Sequence, residues 1–297
     1  MTKPNTNQVK TVRRLLILLW VSVLLLMLML VLSLPYMKET PLDEDPDHIL
    51  RPTQMPEEPT EPEMDIYIPE PEKHPYGPND FQFDGRYLSA LRCDSIPGVD
   101  VSAYQGDVNW NQVKQSGIEF AMIRVGYRGY GTGKIVEDDY ARENLRDALH
   151  AGLRVGVYFF SQALNEEEVQ EEIDFILDII KDYEITMPVV FDWEYISAEA
   201  RTADMDPRTL TDLNLYFCQT MEEAGYTPMI YFNSYQAKHL MFLYELEEFP
   251  FWLAYYSYRM NYPYRVEMWQ YTASGRVPGI AGNVDINVML LDQKLRP

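Results

Sequence analysis

Apolar and polar positions divide this chain into three regimes. From Leu15 to Leu34 the run LLILLWVSVLLLMLMLVLSL carries no charge, and its length matches the ~20 residues needed to cross the hydrocarbon core of a bilayer. Lys3, Lys10, Arg13 and Arg14 precede it and no comparable basic cluster follows. The positive-inside rule therefore predicts a cytoplasmic tail over 1–14, a signal anchor over 15–34, and everything beyond outside the cell. A cleavable signal peptide is the competing reading. Its apolar stretch is shorter, roughly 7–15 residues, and ends at a small-x-small site, whereas this run ends in SLPYMKE. The second regime, 35–80, has no apolar period at all. Between Pro35 and Pro78 there are eleven prolines and twelve acidic residues against three basic ones. Such a stretch repels itself and buries nothing, so an extended spacer is expected.

The third regime is globular. A lead-in over 81–96 begins with FQFDGRYLSAL, whose aromatic residues are expected to dock on a main domain over 97–297. There, short β-branched and aromatic runs alternate with amphipathic stretches of helical period. Strands are predicted at 98–102, 120–125, 153–160, 187–194 and 227–232. Helices fall between them: Val108–Ser116 closed by Gly117, and Asp139–Ala151 stopped by Gly152. A long one is capped by Asn165 with the stripe Val169, Ile173, Ile176, Ile180, and another opens at Asp206-Pro207 and ends at Gly225. Three more strands, 251–256, 266–271 and 284–289, follow with connections too short for full crossover helices. The pattern predicts an α/β fold, an irregular TIM-like barrel of the form (β/α)5 followed by three β-strands.

Composition narrows the chemistry. The formal net charge of −21 argues against nucleic acid as a partner. The four histidines are scattered, none in a metal-ligand spacing, and the two cysteines, Cys93 and Cys218, form no CxxC. A disulfide between them and two separate thiols are both open readings outside the cell.

Polar residues at the C-terminal ends of barrel strands line the mouth. Those ends hold Asp100, Asp192, Glu194, Tyr231 and Asp285. Clustering four carboxylates is costly, because like charges raise one another's pKa values. Asp192-Trp193-Glu194 is the sharpest feature: alternate strand residues share a face, so both carboxylates point one way with Cα atoms about 6.5–7 Å apart. Such a pair suits glycoside hydrolysis, with one group as general acid and one ionised beside the anomeric carbon. D-x-E at a strand end also occurs as a solvated rim or in salt bridges.

The stretches GVDVSAYQGDVNW, FAMIRVGYRGYG, PVVFDWE, GYTPMIYFNSY, FWLAYY and WQYTASGRVPGIAGNVDIN together resemble the family-25 glycoside hydrolases over about residues 97–291. These are lysozymes that cleave the β-1,4 bond between N-acetylmuramic acid and N-acetylglucosamine in peptidoglycan. The resemblance implies Glu194 as general acid and Asp192 as its partner carboxylate. Asp100 and Asp285 would line the cleft, and Tyr231, Tyr158 and Trp269 would flank the sugar, with Gln270 and Tyr255 completing the substrate-binding set. It implies retention at the anomeric carbon, through Asp192 as nucleophile or through the substrate's acetamido group supported by Asp192. No metal or cofactor is implied. A glycan-binding protein without turnover, and a glycosidase of another N-acetylglucosamine polymer, are the alternatives.

Overall fold

The computed structural model describes residues 69–291; the expected cytoplasmic tail, signal anchor and most of the spacer lie outside them. No helix among the described residues is long and apolar enough to cross a membrane. In chain order the strands are β1 (Phe81–Phe83), β2 (Leu88–Ala90), β3 (Ser95–Val101), β4 (Phe120–Arg128), β5 (Ile135–Glu137), β6 (Arg154–Ser161), β7 (Val189–Trp193), β8 (Pro228–Asn233), β9 (Phe251–Ala254), β10 (Met268–Gly275) and β11 (Val284–Leu290). The helices are α1 (Trp110–Gln115), α2 (Ala141–His150), α3 (Glu166–Ile180), α4 (Pro207–Glu223) and α5 (Ser234–His239).

Eight strands close a barrel in the order β3-β4-β6-β7-β8-β9-β10-β11 and back to β3. All neighbours run parallel except β11, which is antiparallel to both β10 and β3. Closure leaves the barrel no free edge. Five strands are each followed by a helix, the fifth only by the six-residue α5, and the last three strands have no α-helix between them.

The caps expected from sequence form. Asn165 accepts from the Glu168 backbone N–H at the start of α3, and Asp206 accepts from Arg208 and Thr209 with Pro207 in the first turn of α4. These side chains satisfy donors that the first turn of a helix leaves open. Val169, Ile173, Ile176 and Ile180 are buried against the barrel wall. Gly225, at φ +86°, turns the chain out of α4 in a backbone region that side-chain-bearing residues avoid.

Strand alternation makes two apolar layers. Inside the barrel lie Phe120, Met122, Val190, Met229, Trp252 and Met268; outward-facing residues pack beneath the helices. Gly98 and Gly156 give the interior its room. A Cβ on Gly98 would meet the Phe120 ring at 2.3 Å, and one on Gly156 would meet the Pro188 carbonyl at 2.6 Å.

Three features differ from the sequence expectation. The lead-in is a hairpin, β1–β2, and Asp84-Gly85 between alternating apolar residues is a recognised hairpin signal. The Asp84 carboxylate accepts from the Arg86 and Tyr87 backbones, and Gly85 has φ +95°. The three-residue β5 pairs antiparallel with the end of β4 and is too short to show a period. The chain expected to be spacer up to 80 is ordered against the barrel earlier. His74 N–H donates to the Pro263 carbonyl at 2.8 Å, Arg265 N–H donates to the Glu72 carbonyl at 2.8 Å, and the Tyr76 ring meets Phe81 edge-on. Cys218 is a free, buried thiol on α4, so the Cys93–Cys218 pairing does not form.

Candidate active site

Asp100, Asp192, Tyr231 and Gln270 reach the barrel mouth from β3, β7, β8 and β10. Asp285, expected at a C-terminal strand end, instead stands at the start of β11 and reaches the mouth because that strand runs antiparallel to both neighbours. On β7, Phe191 and Trp193 face the outer layer, which turns Asp192 inward. The strand stops at Trp193, one residue short of the expected end, and Glu194 follows just beyond it, near enough for its charge to act on the Tyr231 and Tyr256 hydroxyls. Asp192 pairs in register with Tyr231 on β8, and Asp100 on β3 pairs with Asp285 on β11. Asp100 and Asp192 are both buried.

Gln270 on β10 ties these residues together. Its amide nitrogen donates to Asp100 Oδ2 at 3.0 Å and to Asp285 Oδ2 at 3.2 Å. Its amide oxygen accepts from the hydroxyls of Tyr231 at 3.3 Å and Tyr256 at 3.1 Å. Asn287 adds a second donor to Asp100 Oδ2 at 2.7 Å, and its own oxygen accepts from the Trp252 indole at 2.8 Å. Neutral amides thus bridge and hold this carboxylate pair. The phenols report the charge around them. Burial pushes the Tyr231 hydroxyl well above its ordinary pKa, and the negative charges of Glu194, Asp192 and Asp100 push the same way. Burial also raises that of Tyr256, followed by Asp285, Glu194, Asp100 and Asp192. All four carboxylates thus act on one phenol.

β7 pairs with its neighbours only as far as Trp193. Beyond it the backbone carbonyls have no ladder partner, and glutamine side chains replace the ladder. Gln236 donates to the Trp193 carbonyl, and Gln162 donates to the Glu194 carbonyl at 2.7 Å. Gln162 is itself held by the Thr202 hydroxyl at 2.6 Å, and the Trp193 indole donates to the Ala163 carbonyl at 3.2 Å. On the neighbouring wall, Arg124 of β4 forms a fully buried ion pair with Asp138 at 2.8 Å. Asp138 also accepts from the Ala103 backbone, just beyond the end of β3.

The structure brings together Asp100, Asp192, Glu194, Asp285, Tyr231 and Gln270. Tyr158 lies lower in the barrel, in register with Val190 and edge-on to Trp252 at 6.0 Å, where it belongs to the floor. Two expected residues do not reach the mouth. Trp269 is fully buried on the outer face, packed on Phe81 at 5.2 Å, with its indole donating to the Tyr255 carbonyl at 2.6 Å. Because Gln270 faces inward, its neighbour must face out. Tyr255 packs on the same outer layer beside Trp269, and Tyr256, one residue on, supplies the mouth hydroxyl. Sequence reading missed Asn287, Trp252, Tyr256 and the two glutamines. Of these only Asn287 carried a signal, since it stands two residues after Asp285 on the same strand face. Among the described residues no group of His, Cys, Asp and Glu is arranged to hold a metal ion.

Residues 99–280, more than half of the chain, match the family described as Glycosyl hydrolases family 25. Lysozyme M1 of Streptomyces globisporus is 26% identical over 218 residues, covering 69% of this chain and 71% of that protein. The modular autolysin LytC of Streptococcus pneumoniae, solved with a synthetic peptidoglycan ligand, superposes with a TM-score of 0.57 at 25% identity; the match covers 65% of this chain and 46% of LytC. A bacterial lysozyme from Streptomyces coelicolor has the same fold, with a TM-score of 0.54 over 66% of this chain and 92% of its own. A barrel whose mouth gathers a D-x-E pair with two further acids, and whose residues 99–280 match this family, leaves one assignment: the chain is a glycoside hydrolase that belongs to glycosyl hydrolase family 25.

Proposed function

We propose that this enzyme hydrolyses the β-1,4 bond between N-acetylmuramic acid and N-acetylglucosamine in peptidoglycan. Glu194 is the general acid that protonates the leaving oxygen. Asp192 is the ionised partner that meets positive charge at the anomeric carbon, as nucleophile or as support for the substrate's acetamido group. The observation that carries this reading is the hydrogen-bonded mouth in which Gln270 ties Asp100 and Asp285 to the Tyr231 and Tyr256 hydroxyls, with Asp192 in register beside Tyr231. So much negative charge in one mouth stabilises a cationic transition state. Asp100 and Asp285, fixed by Gln270, shape the sugar site, with Tyr231 and Tyr256 at its wall.

The test is to incubate the protein with purified peptidoglycan, reduce the products with borohydride, and identify the new ends by mass spectrometry. Reduced N-acetylmuramic acid supports the proposal. Reduced N-acetylglucosamine keeps the hydrolase and overturns the bond; no new ends would favour a glycan-binding protein instead.

In this reading Gln162 is a positioning residue. Gln162→Leu removes the donor that fixes the Glu194 backbone and orphans the Thr202 hydroxyl. The expected result is a fall in kcat of roughly 10–100-fold with KM within a factor of about two, because a displacement near 1 Å can cost that much. Steady-state kinetics check it; a change in KM alone would place Gln162 in binding.

We read the apolar run 15–34 as an anchor that keeps the domain outside the cell, on its charge-free length and the basic residues before it. Protease added to intact cells should then remove the barrel, and cell fractionation should leave it with the membrane unless 1–34 are deleted. Soluble full-length chain would overturn the anchor.

A further inference from the structure

Five large hydrophobic residues are exposed among the described residues: Phe83, Leu91, Tyr104, Tyr256 and Tyr258. Three of them are linked: Tyr258 follows Tyr256 by two residues and packs its ring on Phe83. Tyr256 is anchored at the mouth through Gln270. Tyr258 is two residues further on, so its Cα lies within about 7.6 Å of that of Tyr256. Its ring meets Phe83 of the hairpin with centroids 4.4 Å apart and planes 40° apart, and it leans on Tyr271 at 5.7 Å. Tyr271 in turn accepts from the Leu88 backbone at 3.3 Å, and Phe81 seats the other strand of the hairpin on Trp269. The hairpin is therefore bolted to the outer wall of β10, with Phe83 held against Tyr258. Phe83 and Tyr258 nonetheless keep 40% and 49% of their surface in water.

We propose that Phe83 and Tyr258 form an outer glycan subsite, a platform for a sugar unit of the same strand that is cleaved at the mouth. This deepens the proposed function and rests on it. Tyr256, held at the mouth by Gln270, is two residues from Tyr258, whose ring carries Phe83, and this nearness to the cleft commits the occupant to the polymer that leaves it. Aromatic faces carry negative π-density and large apolar area, suited to the C–H faces of a pyranose. They also bind without charge, which matters beside a mouth with four carboxylates. Phe83 lies outside the region matched to the family, which begins at residue 99, so half of this platform comes from the lead-in hairpin and not from the family's barrel.

The experiment uses the full chain in a Glu194→Gln background, so that binding is read without turnover. Two probes are compared by equilibrium binding: long, peptide-free glycan strands from peptidoglycan, and a muramic-acid-containing tetrasaccharide too short to fill mouth and platform together. F83A/Y258A is expected to weaken binding of the long strands roughly tenfold, about the worth of one or two lost ring contacts. Affinity for the tetrasaccharide should change by less than about twofold. F83Y/Y258F keeps both rings and should restore long-strand affinity, which separates a lost platform from a disturbed hairpin. Equal losses on both probes, no loss on either, or failure of F83Y/Y258F to restore binding overturns the platform. Hydrolysis of the tetrasaccharide by the unsubstituted chain is scored separately and bears on the proposed function alone.

Discussion

Glu194→Gln is expected to fold as the parent does and to lose about 10²–10⁴ in turnover, the range that a positioned general acid contributes. Glutamine is the same size and cannot deliver the proton that the leaving sugar oxygen needs. The structure gives reason to expect an intact fold. The backbone there is held by Gln236 at the Trp193 carbonyl, by Gln162 at the Glu194 carbonyl, and by the Trp193 indole on Ala163. None of these contacts uses the Glu194 carboxyl. Removing one of four converging carboxylates also relieves repulsion, so stability should hold or rise slightly. The measurement is product formation on peptidoglycan beside a thermal denaturation curve. Retention of more than about a tenth of the activity would remove Glu194 from the role of acid, and a collapsed melting curve would make the loss uninformative about chemistry.

The largest effect on stability is expected from Arg124→Met. Arg124 and Asp138 are both fully buried and bonded through two nitrogens of the guanidinium, at 2.8 and 2.9 Å. Removing the cation leaves a carboxylate in the interior with only backbone donors, those of Ala103 and Tyr140. Breaking a buried pair from one side costs about 3–5 kcal/mol, mostly the penalty of the stranded charge. Replacing both partners by apolar residues is far milder where shape is kept. Arg124→Met should therefore lower the denaturation midpoint sharply, and Arg124→Met with Asp138→Leu should recover part of the loss. A single variant as stable as the parent would show that the pair is not the buried brace described. The pair also has a place in the site, because Asp138 fixes the Ala103 backbone just beyond the strand end that carries Asp100.

Much of this protein is written locally. Capping residues placed the starts of α3 and α4 to the residue, because a helix closes its hydrogen bonds within a few positions and its caps are adjacent in sequence. Strand alternation likewise turned Asp192 inward without reference to any other part of the chain. Asp100 and Asp192, at the ends of β3 and β7, were legible for the same reason, whereas Asp285 stands at the start of β11 and reaches the mouth because that strand runs antiparallel to both neighbours.

What the sequence could not decide is which neighbours meet and where each ladder stops. The choice of Tyr256 over Tyr255, and the outward placing of Trp269, each turn on a one-residue phase set by pairing across β9, β10 and β11. The same holds for Gln270 and Asn287, whose bonds to Asp100 span 170 and 187 residues. Gln162 and Gln236 act only because β7 ends where it does, leaving carbonyls for side chains to satisfy. Local periodicity thus determines the elements and the inward face of each. Closing the barrel determines the site, because only closure brings strand ends from the two extremes of the domain within hydrogen-bonding distance.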